Sequence, residues 1–297
     1  MKTINEIDLN IDSFIKQYKV NNFGYVSSSI SNAITYIYDE KYLIELNENS
    51  NISIVIVTDE LSQKINSRIQ VIISKDPVSL FYKIYMYYLN NRVLNKNSIS
   101  SSANISSSTI IASQGVTIEE DVLIEDHVVI KSNVIIKRNS VVRSGAVIGG
   151  DGFEIKTIDG KQIVIPHDGK VIIFENVDIG YNTCVDKGMF GRDTIIGDGT
   201  KIDNLCHISH GVKIGTNCVV VAKVMISGST DVGNNTYIGP GATIVNGINI
   251  GNNSEISLGS TVISNIKDGQ TVSGYFATSH LEYLKQKNAI RKLTKRK

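Results

Sequence analysis

The sequence predicts a mainly β protein: a parallel coil with three flat sides, preceded by a small α/β domain and followed by a short basic helix. Three observations predict it. From Ile196 to Val262 every sixth residue is Ile or Val. Four residues after each of these the side chain is usually small, as at Thr200, Cys206, Val212, Cys218, Val224 and Thr230. Between them gather Gly, Asn and Asp, with Gly often directly after the apolar residue, as at Gly197, Gly215, Gly233, Gly239 and Gly251.

Neither the period of a strand nor that of a helix brings an apolar residue back in sixes. A prism does, if each side is a short strand plus a corner. The Ile or Val then points inward, and the small residue shares the interior near the corner. Gly, Asn and Asp suit the corners because positive φ costs them little. Three sides make a coil of eighteen residues, and coils stack at ~4.8 Å through parallel ladder hydrogen bonds. This is the hexapeptide parallel β-helix.

Composition narrows the function. A chain of 297 residues with 41% apolar content suits one or two domains. Lys and Arg number 30 against 29 Asp and Glu, which gives no overall charge for nucleic acid. The N-terminus lacks the apolar core of a signal peptide, and no run is long enough to cross a bilayer. A cytoplasmic protein without a stable membrane anchor is expected. Cys206 and Cys218 fall at small interior positions, as inert packing residues. Cys184 falls one place later and should face outward. Disulfides are not expected in that compartment.

Residues 1–95 lack the repeat and read as a small α/β domain. Ile52–Val57 and Val71–Ile73 are buried strands. Asp76-Pro77 opens a helix whose apolar face is Leu80, Phe81, Ile84, Tyr85 and Tyr88. Tyr36, Tyr38 and Tyr42 lie close together, either as packing residues or as a stacking site for a nucleobase. After a polar link the β-helix is expected over 99–273. Its register starts at Ile99, slips by one after Ile111, and breaks at Gly149-Gly150-Asp151-Gly152. An excursion over 152–172 follows, with a hairpin turning at Asp159-Gly160. A smaller irregularity spans Lys187 to Asp193. Insertions on one face of a repeat protein tend to build its site. Residues 274–297 begin Gly274-Tyr275-Phe276 and form a basic helix that ends Lys295-Arg296-Lys297. It is either a solvated face or a patch for donor phosphates or an acidic carrier.

Among the five histidines, His210 stands at a corner, two residues after Ile208. Eighteen residues on, the same corner holds Gly228, and eighteen further Asn246. An imidazole within a ladder spacing of a corner N–H is the pairing that acyl transfer to an amine needs. The imidazole takes the proton of the attacking amine, and the N–H stabilises the oxyanion. His210 as a plain exposed corner residue is the alternative.

Three motifs carry a resemblance: Asp151-Gly152-Phe153, Val185-Asp186-Lys187-Gly188, and Ile202-Asp203-Asn204-Leu205-Cys206-His207-Ile208-Ser209-His210. They resemble the UDP-3-O-acylglucosamine N-acyltransferase family of lipid A synthesis, over nearly the whole chain. Ile34-Thr35-Tyr36-Ile37 through Lys41-Tyr42 is similar to that family's uridine-binding strand and loop. The resemblance implies left-handed winding and a homotrimer with active sites in clefts between neighbouring helices. It implies His210 as catalytic base, Gly228 as oxyanion donor, and Tyr36 and Tyr42 flanking the nucleotide base. Asp186, Asn204 and Asn246 are the further candidate substrate-binding residues. Val219, Val221 and Met225 are expected outward as an apolar stripe, for the trimer contact or an acyl groove.

The chain departs from the family at Gly247, where a second histidine stands, and at Ala222-Lys223, which replace paired glycines. Its C-terminal part, which in the family engages acyl carrier protein, is short. Lys223 therefore suggests a donor with extra phosphates such as coenzyme A. The leading expectation is transfer of a short hydroxyacyl group from acyl-coenzyme A to a nucleotide-linked amino-deoxysugar, as with dTDP-sugars of the anthrose type. The alternative is the lipid A reaction on a UDP-linked acceptor with acyl carrier protein. Neither needs a metal or a permanently bound cofactor. Three rivals are a metal hydratase on the same coil, for which no third stacked histidine exists, a non-catalytic scaffold, and O-acetyl transfer.

Overall fold

The computed structural model describes residues 4–5, 10–20, 22–274 and 276–294. Tyr275, Lys295, Arg296, Lys297 and most of the extreme N-terminus, named above, lie outside the described residues.

From Ser98 to Val272 the chain is a parallel β-helix of three sheets, two of eight short strands and one of nine. The sixfold residues stack directly: Ile208 pairs with Ile226, Ile226 with Ile244, and Ile244 with Val262. All twelve from Ile196 to Val262 are buried, and so are the small residues four places on. Interior threonines satisfy their hydroxyls within the stack. Thr200 donates to the Gly215 carbonyl at 2.8 Å and accepts from the Cys218 N–H at 3.0 Å. Ile99 is 43% exposed because no coil lies beneath it.

The left-handed backbone falls three residues after the inward residue, at Gly199, Leu205, Gly211, Asn217, Lys223, Ser229 and Asn235. The glycines directly after the inward residue serve another purpose. A Cβ on Gly197 would stand 2.5 Å from the Gly215 carbonyl oxygen, so this column is glycine to let coils approach, not to turn them.

The N-terminal part is a four-stranded parallel sheet in the order Ile4–Asn5, Gln70–Ile73, Ile52–Val57, Ala33–Tyr36. The Pro77–Asn91 helix covers it. Asp76 caps that helix by accepting the Ser79 N–H at 3.0 Å, and Leu80, Phe81, Ile84 and Tyr85 are buried under it.

Both interruptions of the β-helix reach into this N-terminal core. The first is a hairpin pairing Ile155–Ile158 with Lys161–Val164 across a turn with φ of 48° at Asp159 and 75° at Gly160. Its Ile158 and the following Ile165 are buried against the N-terminal core. From the second, Phe190 inserts its ring 5.1 Å from both Tyr25 and Tyr85. Each such burial contributes about 1.5–3 kcal/mol, so the interruptions bolt the two parts together. The ladder runs on across them: Ile148 pairs with Val185, and Val185 with Ile208.

Cys206 and Cys218 are buried and Cys184 is half-buried, all with free thiols that burial pushes up. Val219 and Val221 flank the face of Ile202 and Val220, and Met225 that of Ile208 and Ile226, so the expected stripe bends round the Ala222–Lys223 corner. The His280–Thr294 helix is exposed from His280 to Leu293. Among the described residues no helix is long and apolar enough to cross a membrane.

Candidate active site

One corner of the prism carries His210, Gly228 and Asn246 in a column. The Ser229 N–H donates to the His210 carbonyl at 2.9 Å, and the Gly247 N–H to the Gly228 carbonyl at 3.0 Å. The His210 ring lies over Gly228, where a Cβ would stand 2.4 Å from its Nε2. On its other side is Gly152, where a Cβ would stand 2.8 Å from His210 Cδ2. The imidazole thus fills the space that a side chain at either glycine would need.

At several other corners the corresponding N–H is capped by a side-chain oxygen. Tyr181 donates to Asn204, Thr216 to Asn234, Ala222 to Asp203, and Asn234 to Asn252. Along the His210 column the caps are missing. Among the described residues the Gly228 N–H has no hydrogen-bond partner. Unpaired main-chain donors away from water are rare, and this one lies beside a titratable base. Burial holds the His210 imidazole below its ordinary value, while the Glu154 and Asp186 carboxylates pull the other way. At neutral pH the ring is a neutral acceptor.

The structure brings in a residue that the sequence reading did not single out. His167, at the end of the excursion, is 2% exposed, and its ring sits edge-on to His210 at 5.1 Å. Its only sequence signal was its place in an excursion that returns to the same corner.

The other candidate residues divide. Asp186 lies near the His210 corner and binds His207, Oδ2 to Nε2, at 2.8 Å, which raises the His207 pKa. Asn246 is exposed above Gly228. Asn204 and Lys223 lie at a different corner, between the face of Ile202 and Val220 and the face of Ile208 and Ile226. There the Asn204 Oδ1 is already engaged with the Tyr181 N–H, and Lys223 is exposed with φ of 62°. Within one chain, neither joins the His210 column.

Tyr36 and Tyr42 line a surface pocket of about 290 Å³ with Tyr25, Val26, Tyr38 and Glu45. Tyr38 stands between them, parallel to Tyr36 at 6.4 Å and edge-on to Tyr42 at 6.5 Å. Tyr36 also packs on Phe81, so it belongs to both pocket and core. Glu154 and Lys156, an ion pair at 2.6 Å, act electrostatically on Tyr25 and Tyr36, and Glu154 also on His210.

Repeat, winding and column together define the class: a hexapeptide-repeat protein with a left-handed parallel β-helix. Residues 115–150 and 193–228 match the model described as bacterial transferase hexapeptide (six repeats). Among solved structures, the UDP-N-acetylglucosamine acyltransferase of Francisella novicida aligns with a TM-score of 0.50. It is 22% identical, with 64% of this chain and 71% of that one covered, a likeness of fold.

The chain resembles the UDP-3-O-acylglucosamine N-acyltransferases in particular. That of Prochlorococcus marinus is 57% identical over 147 residues, 50% of this chain and 42% of the relative. That of Methylobacterium nodulans is 55% identical over 85 residues, 29% of this chain and 24% of the relative. The chain thus spans less than half the length of these curated relatives.

Proposed function

We propose that this protein transfers an acyl group from a thioester donor to the amino group of a nucleotide-linked amino sugar. The observation that carries the reading is the His210 imidazole lying over Gly228, whose N–H has no partner among the described residues. The amine attacks the thioester carbonyl, and His210 Nε2 accepts the proton it loses. The Gly228 N–H holds the oxyanion, which collapses with departure of the thiolate. His210 needs no covalent intermediate for this. The tyrosine pocket takes the nucleotide base, and Asp186 and Asn246 flank the sugar.

The names of the relatives favour a UDP-linked glucosamine acceptor over the dTDP-amino-deoxysugar expected first. A specific observation keeps the coenzyme A reading: Lys223, exposed at its corner and in no ion pair among the described residues, suits a donor phosphate. Asn204 and Lys223 lie a full face from His210, so their roles require a second copy of the chain. A homotrimer with the site in the cleft between copies satisfies this.

The test is thiol release from 3-hydroxyacyl-coenzyme A and 3-hydroxyacyl carrier protein with UDP- and dTDP-linked amino sugars. His210→Ala should slow the productive combination by roughly 10²–10⁴-fold. Turnover at the normal rate in a folded His210→Ala variant removes the histidine from the mechanism.

A further inference from the structure

His167 holds the most anomalous polar atom in the β-helix. The residue is 2% exposed, and among the described residues its Nε2 has no hydrogen-bond partner. Most buried polar side-chain atoms have one, and leaving one unpaired is costly. Its Nδ1 lies 3.0 Å from the Ile165 carbonyl oxygen. A carbonyl only accepts, so Nδ1 carries the proton and Nε2 bears a lone pair. The main chain is pinned as well, with the His167 N–H donating to Asp151 Oδ1 at 2.9 Å.

That lone pair borders the space occupied by His210. A Cβ on Gly152 would stand 2.7 Å from His167 Nε2, 2.8 Å from His210 Cδ2 and 2.9 Å from His210 Cβ. Both imidazoles therefore border the space that a side chain at Gly152 would fill, and the rings meet edge to face at 65°.

We propose that His167 is a positioning residue for His210: a locked imidazole that backs the base beside Gly152 and turns a lone pair, not a proton, towards it. This rests on the reading of His210 as the general base. When His210 accepts the amine proton, the positive ring forms beside an acceptor instead of beside a second N–H. The wall also fixes the side from which Nε2 addresses Gly228.

The charged surroundings are consistent with this. Around His167 stand His210, Asp151 and Lys187, whose Nζ is 3.1 Å from Asp151 Oδ1. Around His210 stand Glu154, Asp186, His207 and Arg192. Glu154 is paired with Lys156, Asp186 with His207, and Arg192 with Asp231. Burial and the neighbouring His210 both press the His167 pKa down.

Nitrogen-15 NMR of histidine-labelled protein tests the proposal without substrate, with His210→Ala and His167→Gln assigning the two rings. His167 should show the Nδ1–H tautomer and stay neutral below pH 6.5. His167→Leu, which removes the lone pair but keeps the bulk, should lower the His210 pKa by roughly half a unit. His167→Gln, which can turn its carbonyl oxygen to the same place, should restore most of that shift. In the thiol-release assay, His167→Leu should lower kcat about tenfold with KM nearly unchanged. An Nε2–H tautomer in the wild type overturns the proposal. So does a His210 titration that ignores the Leu substitution. Loss in His210→Ala with no change in His167→Leu sinks this inference alone, whereas full activity in His210→Ala sinks the base assignment beneath it.

Discussion

Replacing Gly228 by Ala is the sharpest perturbation of the site. The new Cβ would stand 2.4 Å from His210 Nε2 and 2.6 Å from its Cε1. Ordinary contact requires the ring to retreat by about 1 Å, and a misplacement of that size at a reacting group costs about a hundredfold. Gly228 is not among the residues with positive φ, so alanine brings no backbone strain there. Folding should be nearly unaffected, because the obstacle is the end of a half-buried side chain that can swing. Gly247, one coil on, is the control. It has φ of 71° with nothing within 4 Å of a Cβ, so Gly247→Ala should cost about 1–2 kcal/mol of stability and leave kcat alone. Thermal melts and thiol-release kinetics on the two variants separate the effects. Equal kcat in Gly228→Ala and wild type, or equal losses in the two variants, would refute the assignment of this column.

Three further outcomes are expected. Burial lowers the pKa of both His210 and His167, so the acid limb of kcat/KM should fall below pH 6.5. The sign for stability follows: the unfolded chain binds these protons more readily, so stability is held above pH 6.5 and lost as pH falls. Acid titration of the rate and of the melting temperature checks both. Tyr42→Ala should weaken binding of UDP by roughly tenfold to a hundredfold, as one lost stacking partner does, measured by calorimetry; unchanged affinity would place the base elsewhere. Phe190→Ala should cost about 3–5 kcal/mol and split the melt, releasing the N-terminal sheet before the β-helix; a single unshifted transition would contradict the bolt.

The coil was legible because its signal is repetitive. Twelve Ile and Val in register outweigh any local ambiguity, and each is buried where the spacing puts it. The His210–Gly228 stack followed by adding eighteen. The hairpin turn showed itself through Asp159-Gly160. Other features depend on contacts between residues far apart in sequence. Nothing around Phe190 or Ile158 says that they reach into the core of another domain. His167 was invisible as a site residue because the chain between it and Ile148 leaves the register, so no multiple of six locates it. Tyr36 and Tyr42 lie near each other in the chain, yet Tyr38 stands between their rings. Gly197, Gly215, Gly233 and Gly251 looked like turn formers and proved to be spacers, a distinction that φ shows and composition does not.

The ladder closes across both interruptions, with Ile148 beside Val185 and Val185 beside Ile208 and only a register shift between Ile148 and Gly150. A corner of this prism therefore behaves like a socket. Chain of almost any length can be plugged in there, provided that it returns to the rung it left. Lineages sharing the same scaffold can then diverge in what they recognise by rewriting a corner insert such as 151–170. The inner columns are under no pressure to change with it.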